Sequence, residues 1–351
     1  MPLNNTHSSN ANTDSHAIAV WLFICAIMIF VMVVLGGVTR LTHSGLSMVE
    51  WKPATGFLPP MTELVWQETF EKYQQYPEFK IKNPDMDLTE FKSIFWQEFI
   101  HRVWGRSIGI VFLVPFMFFL LKRKLDRNLI PKLITMFILG GLQGVLGWFM
   151  VKSGLSDRPD VSQYRLTAHL IFAFMLYGWI LWTALGLLFP QPHIFKQGSI
   201  HAYKRFVSAL MFLLVITIMS GGLVAGTDAG FIYNTFPLMG ETFFPKDLFA
   251  FEPLIKNFFE NVVTIQFTHR VLTMLIFVSV LGFWFKTLKQ ELPQRTRMAL
   301  HCMLAAVTLQ VTLGISTLLL VVPVPLAASH QAGALVLLTA MLWTRHEFRE
   351  Q

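Results

Sequence analysis

Glu98-Phe99-Ile100-His101-Arg102 opens one long apolar run, and Gln266-Phe267-Thr268-His269-Arg270 opens another. The same frame thus occurs twice, 168 positions apart. A second histidine follows in each half, His169 in the first and His330 in the second. The chain therefore reads as two copies of one four-helix unit, each with a histidine pair. Three residues before the first histidine, one copy has a carboxylate and the other an amide.

The repeat extends beyond the histidines. Gly36-Gly37-Val-Thr-Arg-Leu-Thr42-His-Ser-Gly45 aligns with Gly221-Gly222-Leu-Val-Ala-Gly-Thr227-Asp-Ala-Gly230, at an offset of 185. Leu142-Gln143 with Gly147 matches Leu309-Gln310 with Gly314. An even number of spans in each unit makes this a parallel repeat, related by an axis along the membrane normal.

Composition agrees with a membrane protein. Of the 351 residues, 54% are hydrophobic and only 14% charged, against about a quarter charged in a soluble domain. Eight spans are expected: 17–39, 96–122, 132–152, 166–188, 205–228, 264–286, and two more within 298–344, where Pro323-Val-Pro325 breaks the run. Polar loops are expected between the first and second spans and between the fifth and sixth. The fold class is all-α and polytopic. Its expected parts are a polar tail (1–16), a first four-helix bundle (17–192), a linker (193–204) and a second bundle (205–351). Cys25 and Cys302 read as buried small apolar residues rather than a bridge or a metal pair. Met1 to Ser15 is polar and lacks Arg, unlike a cleavable signal or a transit peptide, as expected of a bacterial chain.

The net charge of +7 is no nucleic-acid signal, because the cations cluster in short loops. Lys122-Arg123-Lys124, Arg127, Lys132, Lys196, Lys204, Arg205, Lys286, Lys289, Arg295, Arg297, Arg345 and Arg349 all fall on one side. The positive-inside bias assigns that side, with both termini, to the cytoplasm. His101, His169, His269 and His330 then lie near the starts of outside-to-inside spans, at similar depth near the outer face.

Ionisable residues inside a membrane are functional candidates. Histidine pairs on facing helices suit haem iron, held from both sides in a bundle core, or a transition metal. A small divalent site gathers three or four ligands, often with Cys or Asp; here each half offers one pair, which favours haem. Arg102 and Arg270 are placed to meet haem propionates or to hold their helices at the headgroups. Glu98 shares a helix face with His101, so the first half is equipped for proton chemistry. Gln266 keeps the shape without the charge, which suits holding a cofactor.

At these residues the chain resembles the haem A synthases, in the form found in proteobacteria and mitochondria. The matching motifs are Thr39-Arg-Leu-Thr-His-Ser-Gly-Leu-Ser47 with Trp51 and Pro59-Pro60, Glu98-Phe-Ile-His-Arg102, Ala225-Gly with Ala229-Gly, Asn234-Thr-Phe-Pro-Leu-Met239, Gln266-Phe-Thr-His-Arg270 and His330-Gln331. The resemblance implies oxidation of the methyl group at pyrrole position 8 of haem O to a formyl group, with oxygen from water, for cytochrome oxidase. It implies a resident haem b with His269 and His330 as axial iron ligands, and substrate haem between His101 and His169. It makes Glu98 the essential carboxylate. The implied partners are haem O, haem O synthase and a membrane electron acceptor, in a bacterial inner membrane. The cysteine pair that the Gram-positive branch carries in its first outer loop is missing from 40–97, so no mechanism using it applies. His43 receives no role. Two other readings use the same residues: a non-catalytic diheme electron carrier, which leaves Glu98 unexplained, and a metal transporter, which needs an ionisable path to the other side.

Overall fold

The computed structural model describes residues 6–50, 56–155, 160–191 and 200–349. Trp51, Pro53, Lys196 and most of the 193–204 linker lie outside them. Among the described residues the chain is helical, with one isolated bridge between Met239 and Thr242. Eight helices are long and apolar enough to cross a membrane: α1 (Thr6–Leu41), α4 (Leu88–Leu121), α5 (Ile130–Gly154), α6 (Gln163–Leu188), α7 (Ile200–Gly226), α9 (Val262–Thr287), α10 (Gln294–Leu319) and α11 (Val324–Glu347). Pro323 N-caps α11 and Pro325 sits in its first turn, where a missing backbone donor costs nothing.

Helices α1, α6, α7 and α11 form the interior, with 44% of each apolar stretch buried, against 17% for α4, α9 and α10 and 6% for α5. α1 packs on α4, α6 and α11, and α7 packs on α6, α9 and α11. Small residues let these helices approach closely: Gly37 lies against Gln331, and Gly222 against Thr167. The core joins Leu22, Cys25 and Ile29 of α1 to Ile180, Leu210, Leu335 and Met341. Cys25 is buried as expected, but Cys302 is exposed, because it lies on the outward face of the peripheral helix α10.

The first outer loop departs from its polar reading. It folds into α2 (Glu63–Gln74) and α3 (Pro77–Lys82). Helix α4 begins at Leu88 rather than near Trp96, started by a capping box between Asp87 and Glu90. The extra turns pay for themselves by burial: Phe91, Phe95 and Phe99 pack against Trp66 and Tyr73 in a satellite core. The second outer loop adds the short helix α8 (Asn257–Glu260). Arg40–Asp228 at 3.1 Å, Lys82–Asp160 at 2.5 Å and Tyr164–Glu260 at 3.1 Å gather the loops at one end. At the other end Arg295 pairs with the buried Glu347 at 2.9 Å, and Arg349 donates to the Phe189 carbonyl across the molecule.

Candidate haem site

Each of the four histidines stands against a glycine of a neighbouring helix. A Cβ on Gly36 would lie 3.2 Å from His101 Nε2, and one on Gly147 3.0 Å from His169 Cε1. On Gly221 it would lie 3.1 Å from His269 Cε1, and on Gly314 2.8 Å from His330 Cε1. Gly36 and Gly221 are repeat mates, as are Gly147 and Gly314. The small residue makes room for the imidazole, and it does so four times.

The two pairs differ in how they are held. His330 Nδ1 lies 3.2 Å from the Gln310 carbonyl, which can only accept, so Nδ1 carries the proton. Ser220 Oγ gives its own proton to the Thr217 carbonyl at 2.7 Å, so it accepts from His269 Nδ1 at 2.8 Å. Both rings therefore present the Nε2 lone pair, the tautomer a metal ligand needs. Their centroids are 6.4 Å apart and the rings are nearly perpendicular, at 88°. A metal shared by two imidazoles, at bonds of about 2.0 Å plus about 1.1 Å from each nitrogen to its ring centre, would set the ring centres about 6.2 Å apart. The 6.4 Å separation of the second pair is close to that value.

The first pair lacks those supports. His169 Nδ1 is buried without a hydrogen-bond partner, and Leu35 stands where the repeat has Ser220. Gln143, the mate of Gln310, donates its amide to the His169 carbonyl at 2.9 Å and leaves the ring alone. His169 is within electrostatic reach of His101.

Glu98 is 2% exposed. Its Oε2 accepts from Ser47 Oγ and from the Met48 amide, each at 2.7 Å, and its Oε1 pairs with Arg102 at 2.5 Å. Arg102 also donates to the carbonyls of Met48 at 2.9 Å and Glu50 at 3.2 Å. The second half repeats this clamp at mated positions. Arg270 donates to the carbonyls of Tyr233 at 2.7 Å and Thr235 at 2.8 Å, and Gln266 donates to Tyr233 at 3.1 Å. Both arginines thus fasten the loop behind the preceding span. Where Glu98 accepts from the loop, Gln266 gives to it.

Ser47, the Met48 amide and Gln97 carry structure the sequence reading left without roles. Gln97 Oε1 accepts from Ser44 at 2.8 Å and also from Thr42, which shapes the turn that brings Ser47 to Glu98. The signal was present in the repeat: Ser47 aligns with Ile232, so the hydroxyl appears only in the half that has the carboxylate.

Glu78 of α3 was also unassigned. It is 3% exposed, and its Oε2 has no partner. Burial, with the negative Glu98 nearby, pushes its carboxyl up to about 8. The unfolded chain ionises near 4.5, so between those values the folded state binds more protons and stability falls as pH rises. Glu78→Gln removes that slope. Its melting temperature in detergent should equal wild type near pH 4.5 and exceed it at pH 8, as read in a thermal series across that window.

Among the described residues no group of three or more His, Cys, Asp or Glu is placed to hold a metal ion. The fold and the site define a polytopic membrane protein with a histidine pair in each half. The chain matches the family model described as cytochrome oxidase assembly protein, COX15-CtaA, over residues 19–342. It is 52% identical to the heme A synthase of Nitrosospira multiformis over 95% of this chain and 94% of that one. It is 45% identical to heme A synthase COX15 of Bos taurus, over 99% and 86%, and 46% identical to that of Homo sapiens, over 94% and 82%. The chain belongs to the COX15-CtaA family of cytochrome oxidase assembly proteins.

Proposed function

We infer that the chain is a haem A synthase, a membrane oxidoreductase that converts haem O to haem A. The observation that carries this is the asymmetry of two otherwise matching half-sites, which agrees with the names its relatives bear. One half has imidazoles fixed by hydrogen bonds and an amide beside them. The other has a buried carboxylate beside a histidine pair without those supports.

In this reading residues 17–192 hold the substrate and 205–351 hold a resident haem b. His269 and His330 would ligate the haem b iron, which supplies a one-electron relay. Ser220 and the Gln310 carbonyl keep both ligands in the required tautomer, and Gly221 and Gly314 keep them in place. His101 and His169 receive haem O. Turning a methyl into a formyl group with oxygen from water releases protons and electrons. Glu98 takes protons at the reacting edge and stabilises positive charge developing there. Ser47, the Met48 amide and Arg102 fix its orientation. The electrons pass to a membrane acceptor, and haem O synthase is the natural donor of substrate.

The cation-rich end faces the cytoplasm of a bacterial inner membrane, and the loop end with the histidines faces the periplasm. Reporter fusions after Lys124 and within the 193–204 linker should therefore report cytoplasm, and fusions near Glu78 and Lys246 periplasm; the reverse pattern discards this orientation. Activity itself is tested by extracting haem from a strain that makes haem O, with and without this protein. Haem A should appear only with it. A protein that binds two haems and makes no haem A is instead a diheme electron carrier.

A further inference from the structure

A cavity of about 350 Å³ adjoins the first half-site, lined among others by Met48, Tyr76, Arg102, Trp148, Val151 and Lys152. Met48 and Arg102, which hold Glu98, form part of its wall. Arg102 directly follows His101, and Trp148 directly follows Gly147, against which His169 stands. Lys152 is five residues further along α5, about 7.5 Å nearer the loop end at 1.5 Å per residue.

The two cations at this cavity differ in what they have left to offer. The Arg102 guanidinium is engaged by Glu98 and two loop carbonyls. The Lys152 ammonium has no carboxylate partner among the described residues; it lies 5.0 Å over the Trp148 ring, which holds it at the cavity by cation–π attraction. The repeat supplies a comparison. At the offset that matches Gly147 with Gly314, Trp148 aligns with Ile315 and Lys152 with Leu319. Only the half that must accept and release its haem carries this cation.

We propose that Lys152 recognises a propionate carboxylate of the substrate haem, and so fixes the rotation of the macrocycle between His101 and His169. Trp148 positions the ammonium for this. The proposal rests on the first half being the substrate site. Weakly held imidazoles leave the macrocycle free to turn, and a charge-assisted bond at its edge removes that freedom.

The test uses purified protein with its second-half haem in place, titrated by absorbance with protohaem and, separately, protohaem dimethyl ester, which lacks the negative charges. Wild type should bind the free acid about five- to tenfold more tightly than the ester. Lys152→Gln should lose that preference by weakening only the free acid, Lys152→Arg should keep most of it, and the surface control Lys246→Gln should match wild type. Equal weakening for both probes would make Lys152 a packing residue. No change for either would make it a helix-end lysine paired with lipid headgroups. Either result overturns the proposal while leaving the substrate site intact. Failure of wild type to take up any second haem would remove the substrate site and the proposal together.

Discussion

Glu98→Gln is expected to lower haem A formation by about 10²-fold or more, the usual worth of a positioned acid–base group, while haem bound in the second half stays at the wild-type level. The structure says why the fold should survive. Gln266 already occupies the mated position and holds its loop by donating to the Tyr233 carbonyl at 3.1 Å. A glutamine at 98 can make the same bond to the Met48 carbonyl, where Arg102 also donates. Glu98→Ala is different, because removing one member of a buried ion pair costs about 3–5 kcal/mol. It should lose thermal stability as well as activity. The measurement is haem extraction and chromatography at equal protein level, with melting temperatures alongside. Wild-type haem A from the glutamine variant would reduce Glu98 to a fastener of the outer loop.

Replacing His269 or His330 with Ala is expected to abolish the low-spin b-type spectrum of the purified protein. Each removes one of the two proposed iron ligands, whose ring centroids stand 6.4 Å apart. Two gentler changes should act in the same direction. Gly314→Ala places a methyl 2.8 Å from His330 Cε1 and should displace the ring. Ser220→Leu copies the first half at position 35 and removes the acceptor that orients His269, a change of the kind that costs about 10- to 100-fold in metal affinity. Absorbance spectra and haem content per protein read all four. Unchanged spectra in both histidine variants would exclude this pair as ligands.

The eight spans were legible because bilayer crossing imposes length and apolarity, both of which are visible in one dimension. The four histidines were legible because the chain repeats itself, so each position had an internal comparison. The first outer loop holds more structure than its polar sequence suggests. Its burial depends on Trp66 and Tyr73 meeting Phe91 and Phe95 from a helix that also crosses the membrane, and no local periodicity announces that meeting. The roles of Ser47 and Ser220 were likewise hidden. A serine becomes a carboxylate partner or an imidazole acceptor only when two helices fold together, although comparing the halves position by position, Ser47 with Ile232 and Ser220 with Leu35, already marks both as differences.

Arg40 of the first half donates to the Ala225 carbonyl at 3.0 Å and to Asp228, while Arg349 donates to Phe189 at the opposite end. The two halves are therefore latched at both faces of the bilayer, with Gly37 and Gly222 closing the seam between. A carrier that works by alternating access must rock one repeat against the other, opening one face as it shuts the other. Rocking would have to break these contacts at one face or the other. In the proposed reading these latches keep the two histidine pairs at a constant separation, and duplication serves as a fixed electrical connection rather than as a moving gate.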